Sequence, residues 1–139
     1  MTFVLNASRA WCFEDERAED AWRLQQQPRS DDAVVPSIWP AEVANSLPVA
    51  ERRWRLPHSD IDTYVRLQTS LPIVVEDGDM VSTLNRVRSL ARERNLSAYD
   101  APYLDMAVTR SLPLATLDAR LRFAATALGI TTLSTGPGS

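Results

Sequence analysis

Hydrophobic and polar positions along this chain repeat with two alternating periods, and the switches between them mark out strands and helices in turn. Residues 2–5 are apolar and partly β-branched and run straight into the polar turn Asn6-Ala7-Ser8, the pattern of a short buried strand. Between Phe13 and Gln27 the acidic Glu14, Asp15, Glu16, Glu19 and Asp20 come early, where the positive end of a helix dipole favours them, and Ala18, Ala21 and Trp22 supply an apolar stripe. Residues 28–32 read as a loop and 33–35 as a minimal strand. Residues 38–51 read as a helix with Val43, Leu47 and Ala50 on its buried face and Pro40 in its first turn. Pro48 lies inside that helix, lacks the N–H that the ladder needs, and is expected to kink or end it.

Ser59 and Asp62 have the spacing of a capping box and predict a helix that buries Ile61, Tyr64 and Val65. Residues 71–75 return to strand. Met80, Leu84, Val87 and Ala91 then recur at helical spacing and predict an amphipathic helix running to about Arg94. Ser97 caps a further helix whose stripe is Ala101, Leu104 and Val108, with Pro102 tolerable in its first turn and Pro113 beyond its end. Residues 114–117 make a buried strand ending at Asp118. Leu121, Ala124, Ala125 and Leu128 face inward on the last helix, Gly129 suits its C-terminal cap, and residues 130–133 are the closing strand. Strands separated by helices imply an α/β fold with a mainly parallel central sheet flanked by helices, over one domain at residues 1–133. Residues 134–139, polar and rich in Gly and Pro, read as a flexible C-terminal tail.

Composition narrows the chemistry. A chain of 139 residues with 45% hydrophobic and 24% charged residues suits a single globular core. No apolar run is long enough to span a membrane, and the opening residues lack the basic and long apolar stretches of a secretory signal, so a cytoplasmic location is expected. The lone Cys12 agrees with a reducing compartment. All 15 basic residues are arginines and His58 is the only histidine, which excludes lysine nucleophiles, a Walker-A lysine and histidine-pair metal sites. Carboxylates remain. A net charge of −3 gives no general attraction to nucleic acid, so any such contact must come from local arginines.

In a parallel sheet, ligands bind outside the carboxyl ends of the strands. Asn6 and Asp118 directly follow predicted strands, and Glu42 and Asp100 fall in the first turns of predicted helices. Oxygen donors gathered there suit Mg²⁺ or Mn²⁺. Each residue also has a structural role open to it: Asp100 completing a capping box with Ser97, Glu42 complementing a helix dipole, Asp118 capping the last helix.

The segments Val4-Leu5-Asn6-Ala7-Ser8, Val35-Pro36-Ser37-Ile38-Trp39-Pro40-Ala41-Glu42-Val43-Ala44-Asn45, Leu96-Ser97-Ala98-Tyr99-Asp100-Ala101 and Leu114-Ala115-Thr116-Leu117-Asp118 resemble the PIN-domain family, specifically its VapC-type toxins. The likeness runs through nearly the whole chain in order. It implies a PIN-like three-layer fold, an acidic pocket for one or two Mg²⁺ or Mn²⁺ ions, RNA as substrate and a cognate antitoxin as partner. The implied activity is metal-dependent endoribonuclease action as the toxin of a toxin–antitoxin pair. Glu42, Asp100 and Asp118 match the family's acidic positions, Asn6 stands where the family carries its first aspartate, and Ser8 and Thr116 match its supporting hydroxyls. Asn6 is therefore expected to attenuate cleavage, and a PIN-fold module that binds RNA or antitoxin without cleaving is the alternative. The segment after Asn6 is about two residues shorter than in the family.

Other residues carry weaker signals. Cys12, between Trp11 and Phe13, reads as packing, and His58 as an exposed turn residue. Arg52, Arg53 and Arg55, with Trp54 among them, either hold RNA or form a solvated helix end, and Arg86, Arg88, Arg92 and Arg94 have the same two readings with antitoxin binding as a third. The family resemblance, together with four tryptophans and several apolar helix faces, implies a homodimer.

Overall fold

The computed structural model describes residues 2–6, 32–70 and 72–133. The helix expected between Phe13 and Gln27, Ser8, Cys12 and the tail at 134–139 lie outside them. Five strands form one sheet: β1 (Thr2–Asn6), β2 (Asp32–Pro36), β3 (Ile73–Glu76), β4 (Leu114–Thr116) and β5 (Thr132–Leu133), in the order β3-β2-β1-β4-β5. Every pairing is parallel, with Val4 opposite Val34 on one side of β1 and Leu114 on the other. The central strands are apolar on both faces because helices cover both. Phe3, Val4, Leu5, Val35, Leu114 and Ala115 are all buried.

Helix α1 (Trp39–Trp54) opens with Pro40 in its first turn and buries Trp39, Val43, Leu47 and Ala50. It continues past Pro48 and does not end there. The ring removes one donor, and the carbonyl left without it belongs to Ala44, which is exposed to water, while buried residues on either side hold the helix down. Helix α2 (His58–Ser70) starts one residue before Ser59, so Ser59 lies inside it; its carbonyl accepts the Thr63 hydroxyl instead of its side chain capping the helix. Tyr64 is buried, but Val65 is exposed.

Met80–Ser82, a π turn at Thr83–Val87 and Arg88–Arg94 make the next helical segment, α3. A π turn inserts one residue into the helical repeat and rotates what precedes it. Val87 is therefore buried, whereas Met80 and Leu84, expected on the same face, are 75% and 58% exposed. Helix α4 (Ala101–Arg110) accepts Pro102 in its first turn and buries Ala101, Tyr103, Leu104 and Ala107; Val108 points outward. Helix α5 (Ala119–Ala127) buries Leu121, Ala124 and Ala125 and is followed by Gly129 in the left-handed region at φ 77°. No helix among the described residues is long and apolar enough to cross a membrane.

Candidate functional site

Chain direction decides which residues meet. Helices α1 and α5 directly follow strands, and α4 returns from the same edge to start β4, so all three present their N-termini at the carboxyl edge of the sheet. Asn6, Glu42, Asp100, Thr116 and Asp118 all belong to these strand ends and helix starts.

At the centre, β1 and β4 pair Asn6 with Thr116. Both side chains are buried, and they are the only polar residues that are so among the described ones. The Thr116 hydroxyl donates to Asn6 Oδ1 at 2.8 Å and accepts the Asp118 backbone N–H at 3.0 Å. Asp118 Oδ1 accepts the Leu121 N–H at 3.0 Å, so its helix-capping role is real and occupies that oxygen. Arg122, one turn into α5, folds back and donates from Nη2 to the Thr116 carbonyl at 2.8 Å. Nothing about the sequence pattern drew attention to Arg122, because only the fold turns it towards the strand end.

A second group forms where α1 meets α4. The hydroxyl of fully buried Tyr103 donates to Glu42 Oε1 at 2.6 Å, a charge-assisted bond between helix starts 61 residues apart. Tyr103 was not singled out by the sequence, which placed Ala101, Leu104 and Val108 on the buried stripe of this helix. Asp100 lies at the end of the turn before α4, its backbone N–H held by Ser97 Oγ at 3.0 Å, so Ser97 does cap this turn.

The donors are all hard oxygens, the type that Mg²⁺ and Mn²⁺ select, and a carbonyl oxygen such as Asn6 Oδ1 keeps a second lone pair beside the Thr116 bond. In kind, they fit such an ion. In charge they fall short: no group of three or more His, Cys, Asp or Glu side chains is placed to hold a metal among the described residues, so Glu42, Asp100 and Asp118 do not gather into a cluster by themselves.

Beside this edge, at the ends of β2 and β3, lies a cleft of about 370 Å³ crossed by the Arg86–Asp105 and Arg110–Glu76 ion pairs. None of the five site residues lines it. Arg52, Arg53 and Arg55 are exposed at the end of α1, and the Arg53 guanidinium lies 5.0 Å from the Trp54 ring centroid. His58 is exposed as expected, with Nδ1 2.8 Å from Glu51 Oε1.

No family model and no curated protein matches the sequence. Solved structures do. The chain is similar to PAE2754 from Pyrobaculum aerophilum, with 21% identity, a TM-score of 0.64 and coverage of 95% of this chain and 92% of that one. It is also similar to FitAcB from Neisseria gonorrhoeae, with 18% identity, a TM-score of 0.57 and coverage of 96% of both. The class is thus an α/β protein with an all-parallel five-stranded sheet among the described residues. The particular fold is the PIN-like three-layer arrangement that the sequence motifs imply.

Proposed function

We propose that this chain is the toxin of a type II toxin–antitoxin pair, a PIN-type endoribonuclease dependent on Mg²⁺ or Mn²⁺ and attenuated by Asn6. The observation that carries this reading is the hydrogen-bonded chain from Asn6 through Thr116 to Asp118, set on the same sheet edge as Glu42 and Asp100. Asn6, Glu42, Asp100 and Asp118 would hold the cation, with Ser8 and Thr116 in support. A bound divalent ion supplies water activation and charge stabilisation in phosphodiester hydrolysis. The chain's own residues fix the donors: Thr116 aims the Asn6 amide oxygen, Tyr103 holds one oxygen of Glu42, and the α5 cap fixes the Asp118 rotamer.

A second reading, a PIN module that binds RNA or antitoxin without cleaving, is favoured by the missing carboxylate at position 6 and by the absence of a three-acid group among the described residues. Cleavage of structured RNA with Mg²⁺ and Mn²⁺ decides between them, using the protein, Asn6→Asp, and Asn6→Asp combined with Asp118→Ala. Cation-dependent cleavage that Asp118→Ala abolishes supports the nuclease. No cleavage by any form supports the binding module.

Partners follow the same reading. A cognate antitoxin and RNA are the ligands, with Arg52, Arg53 and Arg55 as a second, peripheral RNA contact. The homodimer is proposed to use the exposed apolar residues at the start of α3, where Met80, Val81 and Leu84 are each 58% exposed or more.

A further inference from the structure

Among the described residues the polar centre of the sheet edge holds one cation, and its charge is not matched by an ion pair. Arg122 is half-buried, contacts the Thr116 carbonyl through Nη2, and forms no salt bridge among the described residues. Its Nε is buried and has no hydrogen-bond partner. A guanidinium carries five N–H donors, and the structure supplies one acceptor. Nη1 is not among the buried unpartnered atoms, so that end of the guanidinium is open to solvent and to a ligand, while the buried Nε without an acceptor is costly. The neighbouring side chains do not relieve it: Asn6 and Thr116 are neutral, and the one oxygen of Asp118 whose partner is seen is turned to the α5 N-terminus.

A phosphate, which can turn two of its tetrahedral oxygens to one guanidinium, would complete this arrangement. Arginine forks bind phosphate through two parallel N–H···O bonds, and the Nη2 contact to the strand end fixes the plane of the fork. We propose that Arg122 is a phosphate-binding residue, which grips a phosphodiester of single-stranded RNA at the end of β4 without needing a metal ion. This rests on the RNA reading above and makes it more specific: with asparagine at position 6, the β1–β4 part of the site takes the substrate's negative charge directly. It also separates two jobs, since binding through Arg122 persists where cation-dependent cleavage is weak.

The test is fluorescence anisotropy with a labelled single-stranded RNA oligonucleotide in EDTA, over a range of salt concentrations. Arg122→Gln is expected to weaken binding about tenfold and to lower the slope of log K against log salt by about 0.7, the value for one phosphate contact on a single strand. Arg122→Lys keeps the slope, because the charge remains. Asn6→Asp, which leaves Arg122 in place, weakens metal-free binding by setting a carboxylate beside the same Thr116. Arg120→Gln, an exposed position on the same helix, controls for general charge. If Arg122→Gln, folded by circular dichroism, binds with unchanged affinity and slope, or loses no more than Arg120→Gln, the assignment of Arg122 is overturned and the RNA reading stands. Should Arg122→Gln not fold, an undiminished affinity in Asn6→Asp together with a reduced slope in Arg122→Lys overturns it. If no folded form binds RNA in EDTA, the assignment of Arg122 is overturned, and the cation-dependent cleavage assay above separately decides the RNA reading.

Discussion

Restoring a carboxylate at position 6 perturbs the site most directly. Two unit charges 4 Å apart at an effective dielectric constant of about 20 interact by about 4 kcal/mol, so a carboxylate facing a divalent cation gains about 8 kcal/mol before costs. Position 6 is 5% exposed, and holding an ionised group there takes back several kcal/mol. A net gain of about 3 to 4 kcal/mol remains, equivalent to about 10²- to 10³-fold in cation affinity or rate. The same balance has a second consequence. Without a cation, Asn6→Asp buries a carboxylate whose one seen donor is the Thr116 hydroxyl, so the metal-free variant melts lower than the parent, by about 3 to 5 °C for each kcal/mol lost in a domain of this size. Mg²⁺ or Mn²⁺ then raises the melting temperature of the variant and hardly moves that of the parent. Calorimetric Mn²⁺ titration and thermal unfolding with and without the ion measure both effects. If the variant binds Mn²⁺ no better than the parent and melts at the same temperature in EDTA, position 6 does not face a cation site.

Tyr103→Phe removes the hydroxyl on Glu42 without changing the ring, and is expected to cost about 1.5 to 3 kcal/mol in urea unfolding, as for other hydrogen bonds to charged groups. In the Asn6→Asp background the same change lowers Mn²⁺ affinity about 10- to 100-fold, as loss of a ligand's supporting partner commonly does. At the start of α3, the Ser82 backbone N–H and then the Ser82 hydroxyl hold the exposed Asp79 carboxyl below its ordinary value of 3.8. A depressed carboxyl contributes stability above its unfolded pKa and loses it as pH falls through the folded one. Asp79→Ala is therefore less stable than the parent at neutral pH, and the difference shrinks as pH falls below 3.8, which unfolding measured from pH 7 downwards follows. Met80→Glu with Leu84→Glu places charges on the exposed apolar start of α3 and is expected to disrupt the proposed homodimer, so that light scattering at micromolar concentration shows a monomer for the variant and a dimer for the parent.

Sequence periodicity captured what local chemistry decides. The strands read at residues 2–5 and 114–117, the helix starts at Pro40 and Pro102, and the glycine after α5 all follow from patterns a few residues long, with β1 reaching one residue further, to Asn6, and β4 stopping one residue sooner, at Thr116. Where tertiary packing overrides local preference, the pattern misled. Pro48 reads as a break, yet a helix anchored by Leu47 and Ala50 tolerates one missing donor on its wet side. Met80 and Leu84 read as core because spacing assumes an uninterrupted helix, and the π turn at Thr83–Val87 breaks that assumption. At the site, residue types and strand ends were legible, but the way they combine was not. That Tyr103 supports Glu42 depends on two helix starts 61 residues apart in the sequence, and that Arg122 reaches back to the Thr116 carbonyl depends on how α5 turns off the end of β4.

The position of β1 at the middle of the sheet has a consequence for how the protein comes into being. Asn6 and the Thr116 hydroxyl that orients it are 110 residues apart, so the contact at the heart of the site closes one of the longest loops the chain allows. While a ribosome is still making the chain, β1 has only β2 to pair with, and the far half of the site does not yet exist. A chain released or degraded before β4 carries Asn6, Glu42 and Asp100 but lacks Thr116 and Asp118, and with them the hydrogen-bonded chain at the centre of the site. For a protein whose proposed activity endangers the RNA of the cell that makes it, this order of assembly withholds the site until synthesis is nearly finished, leaving a partner the longest interval in which to meet the nascent chain.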